Sequence, residues 1–335
     1  MDPLESLLEG PRARGAFVMR SLLDPPWSLR IRDEAPLTVV AVVRGGGWIV
    51  PDPGSGVGTP VSGELCRVGF PGTGTAAPRQ LREGDVAIIR GPDHYTVADD
   101  PAREPQVFIN PGQITTTPEG EELCERWRLG VRGWGPNPDA ATLLVTGTYE
   151  QEGAASRRLL RALPPIIVLR GAELDSPVLD LLVDESARDR PAQGAMLDRL
   201  LDLLLIAALR AWFARGDAPA WYHAYADPLV GKALRLLQHN PGHPWTVAAL
   251  AAEVGVSRAA LARRFTDLVG EPPMTFLTDW RLALAADLLH DSDATVEAIA
   301  RRVGYGSAFA LSAAFKRRYG ISPRDHRGTA GLRSA

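Results

Sequence analysis

Cysteine is scarce in this chain. Two thiols in 335 residues, with no Cys-x-x-Cys pair, are too few for a disulfide scaffold or a four-cysteine zinc site. Histidine is also sparse, at six, and no His-x-His occurs. No uncharged apolar run reaches the ~18 residues a membrane span needs. The longest candidate, 197–213, is broken by Arg199, Asp202 and Arg210. The opening MDPLESLLEG lacks the basic-then-apolar order of a secretory signal, so the expected location is cytoplasmic, with no membrane partner. The formal net charge of −3 shows no overall excess of positive charge. That charge is unevenly spread. From Tyr225 onward there are 14 Lys+Arg against 10 Asp+Glu, and before it 23 against 30. An acidic front and a basic rear are expected when only the rear meets phosphate. The length suits two domains, each with its own core.

What the chain does contain is a repeat. Thr246, Val247, Leu250, Ala251, Val254 and Gly255 recur as Thr295, Val296, Ile299, Ala300, Val303 and Gly304. After a slip of one residue, Phe265, Gly270 and Pro273 recur as Phe315, Gly320 and Pro323. Each copy reads as helix, tight turn at glycine, helix, at about 246–268 and 295–318. Thr246 is the expected N-cap of a first helix running to about Val254, and Gly255 supplies a turn with positive φ. Ser257 caps the second helix, in which Leu261, Phe265 and Leu268 form one buried stripe. Its other face carries Ala259, Ala262, Arg263 and Thr266, flanked by Arg258 and Arg264. A helix with an apolar back and a small or basic front fits the DNA major groove. Between the copies, 275–290 reads as one rigid helix with Leu277, Trp280, Leu284 and Leu288 on its buried side. Such a strut can hold two recognition helices about one DNA turn, roughly 34 Å, apart.

The segments SRAALARRFTDLVGEPPMTFLTDWRLALAADLL and VGYGSAFALSAAFKRRYGISPRDHR resemble the DNA-binding domain of the AraC/XylS family of bacterial transcription regulators. The likeness runs from Asp227 to Arg327. It implies double-stranded promoter DNA as a partner, with RNA polymerase a further possible one. It also implies base reading by the positions matching Ala259, Ala262 and Arg263, and by those matching Ala308, Phe309, Ser312 and Ala313. Ser257, Gly306 and Ser307 frame the two recognition helices. Where the family usually carries a long polar residue, this chain has Ala313. The first motif is therefore expected to supply most base readout, while Lys316, Arg317 and Arg318 grip backbone. Phe309 either meets a thymine methyl or tucks into the fold.

The front half turns to strands. LTVVAVVR at 37–44, followed by Gly45-Gly46-Gly47 and Trp48-Ile49-Val50, resembles a tight hairpin. Further strands are expected at 64–68, 85–90, 95–98, 123–131, 141–150 and 166–169, after a short helix at 2–8. Many short strands suggest a small antiparallel barrel or jelly roll. The phrases LREGDVAIIRGPDHYTVADDP, ALPPIIVLRG and ADPLVGKALRLLQHNPGHPWTVAALA resemble the branch of that family with a cupin-type sensory domain.

That resemblance implies a cupin-like sensory domain over 1–190, answering a small molecule or an oxidant. A metal-dependent cupin enzyme is the rival reading, but such enzymes use several histidines. His94 stands alone, so no metal, no cofactor and no catalysis are expected. His94 is either a hydrogen-bonded loop residue or a ligand contact at the barrel mouth. Cys66 and Cys124, both on expected strands, are either buried structural thiols or oxidant sensors. Some regulators of this branch respond to reactive chlorine species, and Arg67, Arg126 and Arg128 flank the two residues and would lower a thiol pKa on close approach. Trp48, Trp127 and Trp134 either pack the core or line a pocket.

Helices are expected at 177–187 and 195–215. In the second, Leu197, Leu201, Leu204, Ala208 and Trp212 form a broad apolar stripe. It is covered either by a second chain, giving a homodimer through 195–215, or by burial between domains. The expected division is thus a sensory domain at 1–190, a dimerisation helix and linker at 191–226, and the DNA-binding domain at 227–328. The fold class is α+β with two domains, a cupin-like antiparallel β-barrel followed by helices, then an all-α double helix-turn-helix.

Overall fold

The computed structural model describes residues 16–52, 77–149, 163–174, 176–216 and 220–331. These fall into two compact units, 16–216 and 220–331.

The first unit holds twelve described strands. They are β1 (Phe17–Leu23), β2 (Ser28–Ile31), β3 (Leu37–Arg44), β4 (Gly46–Pro51), β5 (Arg79–Arg82), β6 (Val86–Arg90), β7 (Tyr95–Ala98), β8 (Val107–Asn110), β9 (Ile114–Thr116), β10 (Gly133–Trp134), β11 (Thr142–Tyr149) and β12 (Ile166–Leu169). One sheet runs β10-β1-β11-β3-β6-β12 and the other β5-β4-β7-β2-β8-β9. The strands thus form two facing, jelly-roll-like sheets rather than a closed barrel. The pairing is antiparallel except for β1 with β10 and β2 with β8.

Alternation along the strands explains the composition. In β3, Val40 and Val42 belong to the core between the sheets, with Leu29, Ile49, Val97 and Trp134. Val39 and Ala41 point the other way and are equally buried. A strand covered on both faces reads as a continuous apolar run, which LTVVAVVR is.

The second cover is helical: α1 (Val178–Ser186) and α2 (Gln193–Ala214). Tyr149 at the end of β11 donates from its hydroxyl to Asp202 of α2 at 3.3 Å. Gly147, also on β11, has no room for a Cβ because Leu201 of α2 fills that space. The absence of a side chain at 147 is what allows the helix to lie so close to the sheet.

This packing corrects the expectation for α2. Leu197, Leu201, Leu204, Ala208 and Trp212 are buried within this chain's own first unit, as are Leu200, Leu205, Leu209 and Phe213. The broad stripe faces the sheet and α1 rather than a second chain. Left outward are Met196 and Leu203, each about half exposed.

Two strand expectations also fail. Gly45 (φ +81°) does not close a hairpin, because β3 and β4 lie in different sheets and the chain crosses between them there. Residues 123–131 form turns with isolated bridges, so Cys124 is not on a strand. Strands β1, β2, β5, β8, β9 and β10 carried no signal strong enough to be expected. The expected helix at 2–8, the strand at 64–68 and Cys66 lie outside the described residues.

The second unit is all helical: α3 (Ala220–Ala226), α4 (Pro228–His239), α5 (Val247–Val254), α6 (Arg258–Val269), α7 (Pro273–Asp291), α8 (Val296–Val303), α9 (Ala308–Tyr319) and α10 (Pro323–Gly331). It contains two cores. Leu250, Ala251, Val254, Leu261 and Phe265 pack with Phe276, Leu277 and Trp280 of α7. Ile299, Ala300, Val303, Leu311 and Phe315 pack with Leu282, Ala285, Ala286 and Leu289 of the same helix. The connector therefore has two apolar faces in succession, not the single expected stripe. Leu284 and Leu288 are only half-buried.

Candidate nucleic-acid interface

The two motifs match cap for cap. Thr246 Oγ1 accepts from the Ala249 amide at 3.1 Å and Thr295 Oγ1 from Ala298 at 3.2 Å, starting α5 and α8. Gly255 (φ +79°) and Gly304 (φ +91°) end those helices in the left-handed region, where only glycine is unstrained. Ser257 and Ser307 then accept from Ala260 and Ala310, each at 3.2 Å, and begin the recognition helices α6 and α9. Each side chain satisfies an amide that the first helical turn leaves unpaired. Gly270 and Gly320 close both helices, again at positive φ.

On α6, Arg258, Ala259 and Arg263 are exposed and Ala262 half-buried. Neither Arg258 nor Arg263 has a carboxylate partner among the described residues, so both present free guanidinium forks. Arg264 differs. Its Nε donates to Asp227 Oδ2 at 2.9 Å, with a second bond from Nη2. Asp227 also caps α4 by accepting from the Leu229 and Val230 amides at 3.0 and 2.9 Å. Arg264 is thereby tied to the N-terminus of α4.

The ion pair with Arg264, then the two amides, hold the Asp227 carboxyl below its ordinary pKa. A depressed carboxyl stabilises the fold above its unfolded pKa of about 4. That contribution is lost as pH falls through the folded value. Asp227→Ala, which removes cap and pair, is expected to cost about 1 kcal/mol or more at neutral pH. Asp227→Asn keeps a competent cap and loses only the acid-sensitive part. Hydrogen exchange of the α4 amides checks this. A D227A penalty that stayed constant from pH 7 to pH 3 would refute the assignment.

On α9 the charge sits at the other end. Lys316 and Arg317 are exposed with no carboxylate partner among the described residues, whereas Arg318 lies 3.5 Å from Asp279 of the connector. Of the three expected backbone-gripping cations, Arg318 is thus partly committed inside the unit. Gly306 and Ala313 are exposed, and Ser307, Ala308 and Ser312 half-buried. Phe309 is 84% exposed, which decides between the two expectations for it: the ring is not tucked into the fold.

One residue escaped notice in the sequence. Glu297 of α8 accepts the Ala308 amide at 2.9 Å and pairs with Arg301 at 3.1 Å. The amide bond first, and then Arg301, lower its pKa. The matching position in the first motif is Ala248. An acidic residue in the first turn of α8 was the available signal, but its reach to the next helix is a tertiary fact. The carboxylate occupies a helix N-terminus that would otherwise favour a phosphate.

In the first unit, Cys124 is half-buried and its Sγ accepts from the Thr115 amide at 3.3 Å. Arg128 pairs with Glu125 at 3.3 Å. His94 is half-buried in the turn between β6 and β7. Trp48 alternates with the core residue Ile49 and so lies on the opposite face of its sheet. Trp127 and Trp134 pack at 4.8 Å between ring centroids. Among the described residues no three His, Cys, Asp or Glu side chains gather as a metal site.

A double-sheet unit followed by paired, identically capped helix-turn-helix motifs defines a two-domain transcription regulator that binds DNA. Comparison with known proteins agrees. Residues 2–214 match the Cupin family and residues 250–329 a Helix-turn-helix domain family. An AraC-like transcription regulator of Streptomyces lividans is 30% identical over 336 residues, covering 98% of both chains. The RCS-specific HTH-type transcriptional activator RclR of Escherichia coli is 30% identical over 196 residues, covering 56% of this chain and 68% of its own. The solved DNA-binding domain of AdpA in complex with a target DNA is 36% identical, covering 32% of this chain and 96% of that one, with a TM-score of 0.30. This chain belongs to the AraC-like transcription regulators with an N-terminal cupin domain.

Proposed function

We propose that this regulator reads its operator chiefly through α6 and anchors to DNA backbone through α9, under control of a small molecule bound in the sheet unit. The observation that carries the division of labour is the placement of unpaired cations. Arg258 and Arg263 project from the first two turns of α6, while Lys316 and Arg317 lie at the far end of α9. Guanidinium forks suit guanine edges, and a flexible ammonium suits phosphate. Phe309 adds an apolar contact of the kind a thymine methyl accepts.

A small-molecule signal is favoured by two buried indole N–H groups in the inter-sheet core, those of Trp27 and Trp134, which have no acceptor among the described residues. A ligand with a carbonyl or hydroxyl oxygen would satisfy them, and an unmet buried donor is costly. The second reading is an oxidant signal through Cys66 and Cys124, favoured by the likeness to the RCS-specific activator RclR. The protein acts in the cytoplasm as a homodimer, without catalysis, and meets RNA polymerase at promoters. Its division is a sensory domain at 1–190, a helix and linker at 191–226, and the DNA-binding domain at 227–328. The second copy docks on the outward face of α2, where Met196 and Leu203 are exposed one heptad apart.

Footprinting on promoters beside its own gene tests the scheme. Hypochlorite leaves the footprint unchanged if the signal is a small ligand. A shift that Cys66→Ser or Cys124→Ser abolishes rejects that reading in favour of oxidation. Leu203→Glu shortens the protected region from two sites to one, and a full-length footprint from that variant excludes the α2 face.

A further inference from the structure

The two cores of the DNA-binding unit share one helix, and they change over within it at a single point. Phe276, Leu277 and Trp280 belong to the first core, while Leu282, Ala285, Ala286 and Leu289 belong to the second. Arg281 stands between the two sets. Its Nε donates to the Pro241 carbonyl at 2.7 Å and its Nη2 to the His243 carbonyl at 2.8 Å. That loop leads into α5 and so belongs to the first motif.

The turn of the second motif meets the same fork. A Cβ on Gly304 would stand 2.7 Å from both Arg281 Nη2 and the Pro241 oxygen. A Cβ on neighbouring Gly242 would lie 3.2 Å from the Arg302 carbonyl at the end of α8. First-motif loop, connector and second-motif turn therefore converge on one guanidinium. Burial lowers the pKa of that group, and a guanidinium in a protein stays protonated all the same. A planar guanidinium holds its N–H groups in a fixed fork, which serves two carbonyls from one side chain in a defined geometry.

We propose that Arg281 fixes the rotational register between the two recognition helices and so sets the spacing of the DNA segments the protein accepts. This rests on the reading that both motifs engage one duplex. A helix crossing from one core to another resists bending modestly on its own. The fork adds a lateral tie at the joint. One inserted base pair moves the second segment by about 3.4 Å and turns it by about 34°. A braced reader cannot follow that displacement, while an unbraced one can swing toward it.

The full-length chain is used to select a preferred duplex from a random library. Wild type, Arg281→Ala and Arg281→Lys are then titrated onto that duplex, onto versions with one base pair added or removed between the protected segments, and onto single segments. Wild type is expected to lose about tenfold or more on either spacing change. Arg281→Ala should lose less than about threefold across the same series, with single-segment binding within about twofold of wild type. Arg281→Lys, whose ammonium cannot hold both carbonyls in the same geometry, should behave like the alanine variant, and it carries the test if Arg281→Ala does not fold. Variants that keep the full spacing penalty overturn the brace. So does an equal loss on every duplex, single segments included. A wild type indifferent to spacing overturns the shared-duplex reading and the brace with it.

Discussion

Phe265→Ala is expected to lower the unfolding free energy of the DNA-binding unit by about 3–5 kcal/mol, and Phe315→Ala to do the same from the second motif. Both rings are fully buried. Phe265 meets Phe276 edge-on, with centroids 5.8 Å apart and planes at 81°. Phe315 lies 4.5 Å from the Tyr319 ring and 5.3 Å from His326. Each phenylalanine fastens a recognition helix to the connector, so truncation leaves a cavity beneath the surface proposed to meet DNA. Affinity should fall in both variants although neither ring is exposed to touch a base. Native-state hydrogen exchange on α6 and α9 reads the loss motif by motif. A cost below about 1 kcal/mol would mean that the core collapses around the gap, and the fastening role would be abandoned.

Arg263→Ala should weaken binding to the selected operator by about 1–3 kcal/mol, five- to over a hundredfold, and leave scrambled DNA nearly unaffected. Arg263 is exposed and unpaired, and its counterpart in the second motif is Ala313, which cannot hydrogen-bond a base edge. Lys316→Ala should instead weaken all sequences alike and reduce the salt slope by about one. Arg264→Ala should act through stability, since its fork is bound to Asp227. Arg263 and Arg264 are adjacent in sequence, and only Arg264 is drawn to Asp227. Titrations at two salt concentrations distinguish these outcomes. Matching effects of R263A and K316A on preferred and scrambled duplexes would end the assignment of readout to α6.

The helix-turn-helix pair was legible because its determinants are local. Threonine and serine caps act on amides three residues ahead, glycine governs its own φ, and an i, i+4, i+7 stripe declares a helix face within two turns. These interactions survive projection onto a string of letters, and the caps expected at 246 and 257 are present, with Thr295 and Ser307 matching them in the second motif.

The sensory unit was harder to read because sheets are made by distant partners. The apolar strands β3, β6 and β12 announced themselves. Short strands such as β2 and β8 exist only through pairing across many intervening residues. The glycines at 45–47 looked like a hairpin because a local pattern cannot say which sheet the next strand will join. The breadth of the α2 stripe was plain, yet its cover depended on Gly147 of β11 lying beneath Leu201.

Sequence alone thus determined the class of the protein, the two recognition helices and their caps, since each depends on residues a few positions apart. Tertiary structure alone decided that Arg264 is held by Asp227, that Glu297 closes the second recognition helix, and that Arg281 ties both motifs to one strut. The partners in those contacts lie between 11 and 40 residues apart. No rule of spacing connects them, only the packing that brings them within reach.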